Sequence, residues 1–330
     1  MKALVTGATG FIGSHLVETL VSRGDQVSVL VRPDSRTSGL DRIPAIQVKG
    51  GYDDSDALAR AVAGMDVVFH VGGLINALDD RTYEAANVVP TRNLIRACVE
   101  SAPGLKRFVF VSSISATGPS PRGTALNEDA PRRPVSGYGR SKVQAEDAVR
   151  SFEDRVPVAI IRPPNVLGPR QKELFTSISL IAKRVKPIVG RREPQTSIAA
   201  VEDICRAMIL LAEHPAAVGR VYFVTDGRAY SWREITAAVA AELGVRRFFL
   251  PIPYPFQYTA AALSEMAARA GRKAPALTRD AVAASRKYHW IYDDTSIRSE
   301  LGFVPEYDMR EAIKRTVAWY AERGLVKVRS

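Results

Sequence analysis

Short runs of apolar, β-branched residues alternate along the first half of the chain with stretches whose apolar positions recur every three or four residues. KALVTG predicts a buried strand, and HLVETLVSRG behind it a helix with Leu16, Leu20 and Val21 on one stripe and Gly24 as its stop. The alternation continues through a strand at QVSVLVR, a helix over 55–63 and a strand over 66–71 (DVVFHV). It then runs through one long helix over 82–101, a strand over 107–113 (RFVFVSS), a helix over 137–152 and a strand over 158–163 (VAIIRP). Strands separated by helices need crossover connections, so the pattern predicts right-handed βαβ units, a parallel sheet and helices on both of its faces.

After Pro163 the rhythm changes. Pro164, Pro169, Pro187 and Pro194 punctuate the next segment around a single helical stretch. A helix over 201–213 and a strand over 221–226 (VYFVTD) read as a return to the main sheet. Residues 250–290 begin with prolines and aromatics (PIPYPFQY) and become Ala-rich, and the tail closes with LGFVPEY and an amphipathic helix over 309–323. The expected organisation is a nucleotide-binding domain over 1–165, rejoined by 196–228, and a smaller lobe assembled from 166–195 and 229–330.

Composition narrows the class. Hydrophobic content of 46% with 25% charged residues suits a soluble globular protein. No apolar run reaches the roughly 18–20 residues of a membrane span. The glycines of MKALVTGATGFIG come too early for a signal peptide, so a cytoplasmic location is expected. Cys98 and Cys205 have no metal-type spacing and read as buried free thiols, and no metal site is expected. A net charge of +11 favours anionic partners. Its basic clusters (Arg132-Arg133, Lys183-Arg184, Arg191-Arg192) are not interleaved with stacking aromatics, which argues against nucleic acid. Peripheral contact with anionic membranes through the helical stretch near 257–273 stays open.

Gly7, Gly10 and Gly13 lie between the first strand and the first helix. Glycines there permit a tight turn and let backbone N–H groups approach a pyrophosphate at the positive end of the helix. This is the signature of a Rossmann dinucleotide site when strand and helix flank it. NAD sites place a carboxylate at the end of the second strand for the ribose hydroxyls. This chain has Arg32 there, with no carboxylate until Asp34. A guanidinium pairs with a 2′-phosphate, so NADP(H) is the preferred cofactor and NAD(H) the alternative, with Arg36 as a second candidate cation.

Tyr138 and Lys142 share a helix face at the i, i+4 spacing. A free phenol, with a pKa near 10, is a poor acid–base group at neutral pH, and a neighbouring ammonium, helped by the cofactor's own positive ring, is expected to lower it. Ser113, at the end of a strand, is placed to donate to the same substrate oxygen as the tyrosine.

TGATGFIG, Asn87 in NVVPTRNL, FVFVSS, YGRSK, RPPNVLGP, VEDICRA and the closing LGFVP together resemble the extended short-chain dehydrogenase/reductase family of the epimerase/dehydratase type, end to end. The resemblance implies a doubly wound Rossmann sheet with a smaller C-terminal substrate lobe. It also implies Tyr138 as acid/base, Lys142 as its electrostatic helper and Ser113 as oxyanion partner. Gly7, Thr9, Gly10, Phe11, Ile12 and Gly13 would line the cofactor, with Asn87 and Pro163 beside the nicotinamide. A homodimer through the helices over 82–101 and 137–152 is a further implication.

Several positions depart from the family pattern. Gly50-Gly51-Tyr52 replaces the usual Gly-Asp-Leu, leaving Asp53 as the candidate adenine contact. His70-Val71-Gly72-Gly73 replaces His-x-Ala-Ala, so Val71 and Gly72 are expected close to the cofactor, with His70 a packed structural residue. Nucleotide-sugar enzymes of the family often carry an arginine before V-x-D. Here that place reads TSIAAV over 196–201, with Arg191 and Arg192 upstream. Phe248, Phe249, Ile252, Tyr254, Phe256 and Tyr258 suggest an apolar pocket, and the stretch 250–290 resembles bacterial 3β-hydroxysteroid dehydrogenase-like proteins. The expected activity is therefore interconversion of a secondary alcohol and a ketone on a lipophilic, sterol-like or isoprenoid small molecule. A nucleotide-sugar epimerase or dehydratase and a non-catalytic dinucleotide sensor remain as alternatives.

Overall fold

The computed structural model describes all residues except 184, 187–193, 246–249, 252, 272–274, 276, 280, 281, 284–287, 329 and 330. Arg191, Arg192, Phe248, Phe249 and Ile252 thus lie outside the described residues.

The first half forms strands β1 (Lys2–Thr6), β2 (Gln26–Val31), β3 (Ile46–Lys49), β4 (Val67–His70), β5 (Arg107–Val111) and β6 (Val158–Arg162). The strands β7 (Asn165–Leu167), β8 (Val185–Lys186) and β9 (Gln195–Ala200) follow, then β10 (Val221–Phe223), β11 (Ala229–Ser231) and β12 (Leu250–Pro251). One seven-stranded sheet has the order β10-β6-β5-β4-β1-β2-β3, with every pairing parallel. The order reverses beside β1, and in open α/β sheets a ligand crevice forms at such a switch, outside the carboxyl ends of the strands.

Both faces are covered, which is why these strands are continuously apolar. Val5, Val29, Phe69, Val109 and Ile161 face one way, toward the helix α1 (Phe11–Ser22). Their chain neighbours Leu4, Leu30, Val68, Phe108 and Ile160 face the other. There they meet α2 (Ser55–Val62) and residues Leu94, Ile95, Ala145 and Val149. The strand period of two sends adjacent residues to opposite cores.

Two features depart from the sequence expectation. β3 shows no apolar run because it is the sheet's edge, mostly exposed and ending on Lys49, as edge strands protected from further pairing often are. The helix expected over 82–101 is three pieces: α3 (Asp80–Tyr83), a π-helical turn (Glu84–Val88) and α4 (Val89–Ser101). One extra residue per turn at 84–88 rotates Asn87 relative to the following helix, and such bulges often mark functional sites.

The helices α5 (Ile114–Thr117) and α6 (Gly137–Arg150) follow β5. The remaining segments build a second core. β7, β9 and β11 make a three-stranded sheet. Leu174 and Ile178 of α7 (Lys172–Ala182) pack with Ile198, Tyr230, Ile313 and Val317. The helix α8 (Val201–Glu213) returns to the main core through Ile204 and Met208. The helix α9 (Trp232–Glu242) starts on a reciprocal cap: Ser231 Oγ accepts from the Glu234 N–H, and Glu234 Oε2 accepts from the Ser231 N–H. The helix α10 (Tyr254–Gly271) lies largely on the surface. Among the described residues no helix is long and apolar enough to cross a membrane, and no group of His, Cys, Asp and Glu could hold a metal ion.

Candidate active site

The site grows from the turn after β1. Gly7 has φ +71°, a region costly for a residue with a side chain. A β-carbon there would come within 2.6 Å of the Gly72 nitrogen, so the first turn and the turn after β4 meet backbone to backbone. Gly13 is equally confined, its face pressed on the Gly7 carbonyl. Gly10 caps α1 without any side-chain acceptor, and no acidic residue occupies the first turn. The helix therefore opens with N–H groups at Phe11 and Ile12 that no cap satisfies, a cradle suited to a pyrophosphate. Thr9 and Gly10 are exposed at its mouth, and Val71 and Gly72 are half-buried beside it. The cradle fits a dinucleotide.

Behind the glycines runs a buried hydrogen-bonded chain that the sequence reading did not contain. Thr91 donates its hydroxyl hydrogen to the Asn87 carbonyl (2.6 Å), so it accepts from His70 Nε2 (2.9 Å). His70 Nδ1 is then the acceptor for the Thr6 hydroxyl (2.7 Å). The Thr6 hydroxyl also neighbours the Tyr52 hydroxyl, whose pKa is raised by burial. His70 is held neutral, its pKa pushed down to about 3 by burial and by the charge of Lys142. This fits a structural role for the histidine.

Asn87 uses both amide hydrogens, one on the Leu74 carbonyl and one on Ser141 Oγ (3.0 Å each), and its Oδ1 accepts from the Leu74 N–H (2.6 Å). It straps the loop after β4 to α6. The strap brings Gly73 against Lys142: a β-carbon at 73 would lie 3.3 Å from Lys142 Nζ and 3.4 Å from Asn87 Oδ1. Lys142 donates to the Val111 carbonyl (2.8 Å) and sits 4.9 Å from the centre of the Phe110 ring. Ser113 ends the same strand region and caps α5, accepting from the Ser115 N–H (3.1 Å). Its hydroxyl also faces the Tyr138 phenol and favours the phenolate. The Pro163 carbonyl accepts from the Ile114 N–H (3.1 Å), tying the end of β6 to this turn. Ser113, Tyr138 and Lys142 thus stand together at the carboxyl edge of β4 and β5, continuous with the glycine cradle.

The electrostatics correct one expectation. The Tyr138 phenol is not acidified: burial pushes it up to about 12, only partly offset by the Ser113 hydrogen bond. Burial also lowers Lys142 to about 8, against the opposing pull of Glu146. Both charged forms have lost water, and the ammonium is committed to a backbone carbonyl. Tyr83 adds a second phenol, its ring centre 6.2 Å from that of Tyr138.

Glu146 lies one turn beyond Lys142 on α6, an i, i+4 spacing that is the local signal for its place on the same face. It forms a buried two-pronged pair with Arg162 (2.8 and 2.6 Å) and accepts from Ser112 Oγ (2.5 Å). Arg162 also donates to Thr117 Oγ1 (3.1 Å). The pair anchors the residue before Ser113 and the helix that carries Lys142.

Other candidates sit farther out. Arg32 projects into solvent at the end of β2, 3.8 Å from Asp34. Asp53 is exposed, while Asp54 caps α2 by accepting from the Ala57 N–H (2.9 Å). Thr196 is buried, receiving Asn165 Nδ2 (2.6 Å) and donating to the Ser197 carbonyl (3.1 Å). Phe256 and Tyr258 are exposed on α10 rather than packed into the lobe. That helix turns its small residues inward instead.

Residues 3–224 match the NAD dependent epimerase/dehydratase family. The chain belongs to that family. It is 29% identical over 312 residues, 92% of each chain, to a 4-hydroxy-2-methyl-3-oxo-4-farnesyl-3,4-dihydroquinoline-1-oxide ketoreductase of Stigmatella aurantiaca. It is 30% identical to a 2-alkyl-3-oxoalkanoate reductase of Stenotrophomonas maltophilia, over 96% of this chain and 99% of the relative. Among solved structures, a UDP-glucose 4-epimerase of Thermotoga maritima superposes with a TM-score of 0.79 at 22% identity, covering 98% of this chain and 99% of the other. That last likeness concerns the fold. As an epimerase/dehydratase family member with oxidoreductase relatives, the chain is an NAD(P)-dependent enzyme of the extended short-chain dehydrogenase/reductase type.

Proposed function

We propose that the enzyme interconverts a secondary alcohol and a ketone on a lipophilic small molecule, with NADP(H) preferred over NAD(H). The observation that carries the reading is the Ser113 hydroxyl facing the Tyr138 phenol, on the helix whose Lys142 Nζ reaches the Val111 carbonyl and lies against Gly73 at the end of the glycine cradle. Bound in that cradle, the dinucleotide supplies or accepts a hydride at the carbon bearing oxygen. In the reductive direction Tyr138 delivers its proton to the carbonyl oxygen, and Ser113 donates a hydrogen bond to that oxygen as charge builds on it. Burial leaves the phenol a weak acid; the Lys142 ammonium, one turn along the same helix, is the group we assign to lowering the cost of the phenolate left behind.

Thr196 supports a lipophilic substrate over a nucleotide sugar. Its place, where an arginine would grip a diphosphate, holds a buried hydroxyl satisfied by Asn165 and the backbone. The two ketoreductase relatives act, by their names, on molecules with farnesyl or alkyl chains. Arg32 supports NADP(H), since an exposed guanidinium at the end of β2 suits a 2′-phosphate. The reading includes a homodimer through the outward faces of α4 and α6, which sedimentation equilibrium tests.

The deciding experiment follows NADPH and NADH oxidation with long-chain 3-oxo acids and 3-ketosteroids, beside product analysis with UDP-glucose. Ketone-dependent NADPH oxidation is expected, with the preference for NADPH lost in Arg32→Ala. Conversion of UDP-glucose without net cofactor oxidation, and no response to the ketones, would reverse the assignment.

A further inference from the structure

The helix α10 is built the opposite way round from a helix on a water-facing surface. Its buried residues are Ala261 and Ala268, while Phe256, Leu263 and Met266 are 69%, 59% and 64% exposed. A surface helix normally turns its large apolar side chains to the core and its charges to water. At 100° per residue, Phe256, Ala260, Leu263, Met266, Ala267 and Ala270 fall on one arc opposite the two buried alanines. The one hydroxyl on that arc, Thr259, folds back onto the Pro255 carbonyl (2.8 Å). No charged residue occurs between 254 and 264. Other large exposed apolar residues, such as Ile46, Ile75 and Val304, are scattered through the described surface, whereas four share this helix and Leu277 follows it. Isolated exposures are ordinary, but a contiguous set implies a partner.

Charge indicates which partner. Residues 254–290 hold six basic residues and two acidic ones, and one of the acids, Glu265, is neutralised by Arg279 (2.8 Å). Arg269 lies in the last turn of α10, and Tyr258 is exposed on its flank. An apolar arc on a helix that carries an exposed arginine and tyrosine beside it, in a segment of net positive charge, matches the boundary between acyl chains and anionic headgroups, where apolar side chains enter the bilayer and cations remain among phosphates.

We propose that α10 is an interfacial helix that seats the protein on an anionic phospholipid surface, its axis in the plane of that surface. The inference stands on the exposed arc and its charge, and it gives the proposed lipophilic substrate a direct route from the bilayer to the lobe that carries the helix.

The test is co-sedimentation of the full chain with vesicles of phosphatidylcholine alone or with roughly one-third phosphatidylglycerol, at about 0.05 M and 0.5 M salt. Wild type is expected to pellet with the anionic vesicles at low salt and to be weakened at least about tenfold in Leu263→Gln/Met266→Gln. Reduction of a short, water-soluble ketone and the thermal midpoint should be unchanged in that variant, showing that the fold is intact. Absence of binding at low salt, or equal binding by wild type and variant, overturns the proposal. So does a variant that changes only the oligomeric state, which would assign the face to a second copy of the chain. Vesicle binding does not depend on turnover, so a failed ketone assay with intact binding would discard the proposed substrate class and leave the surface assignment standing.

Discussion

The Tyr52 hydroxyl occupies the space beside Gly72 that a side chain there would need: an ideal β-carbon on Gly72 lies 2.6 Å from that oxygen. Tyr52 and Gly72 are two departures from the family pattern, twenty positions apart in sequence, and in the structure they are one adaptation. The phenol crosses behind the glycine turn to reach the neighbourhood of the Thr6 hydroxyl, and the loop after β4 gives up a methyl group to admit it.

Gly72→Ala alone should therefore be overpacked, destabilising by about 1–3 kcal/mol. In a Tyr52→Phe background the oxygen is gone and most of that cost should disappear. Urea midpoints for the four proteins of the cycle measure the coupling. Additive effects would mean that the two positions do not compete for space.

Tyr138→Phe keeps the ring and removes the ionisable oxygen. Cofactor affinity should change by less than about threefold, while kcat falls by at least about a hundredfold. Fluorescence titration and initial rates separate the two. Turnover near that of wild type would transfer the acid–base role elsewhere.

His70 imposes an acid sensitivity. Its folded pKa, about 3, lies below the ordinary value of 6.5. Between those limits the unfolded chain binds the proton and the folded chain does not, so stability falls as pH drops from about 6.5 toward 3. The slope due to this residue approaches about 1.4 kcal/mol per pH unit well below 6.5. His70→Asn should be less stable near neutrality but flatter across pH 7 to about 5. Parallel curves would exclude the histidine as the source.

Glu146 and Arg162 are 0% and 3% exposed; Glu146 has a second cation in Arg132 (3.7 Å), but Arg162 without Glu146 is an uncompensated buried charge. Glu146→Ala should cost about 3–5 kcal/mol. Asp147→Ala, one residue along the helix and breaking the half-exposed pair with Arg132, should cost less than about 1 kcal/mol. Comparable losses would show that burial does not govern the difference.

Helix and strand order, the glycine turn and the Tyr138–Lys142 spacing were legible in the sequence because each rests on local periodicity or on residues a few positions apart. Strands buried on both faces advertise themselves as apolar runs, and β1, β2, β4, β5 and β6 did so. The edge strand β3 did not, because half of an edge strand's environment is water. The π-turn around Asn87 gave no sign either, since the strap that Asn87 makes there joins Leu74 and Ser141, which are distant in the chain.

What tertiary structure alone decided are the relations between groups distant in the chain. Sequence spacing placed an ammonium near a phenol and suggested an acidified tyrosine. Packing desolvates both, which raises the phenol and lowers the ammonium in the chain by itself, and the ammonium bonds the Val111 carbonyl. The same holds for Phe256, which composition assigned to a pocket and the fold turned outward. Periodicity records which face of an element is apolar; desolvation, and what each face finally meets, depend on neighbours that only the folded chain supplies.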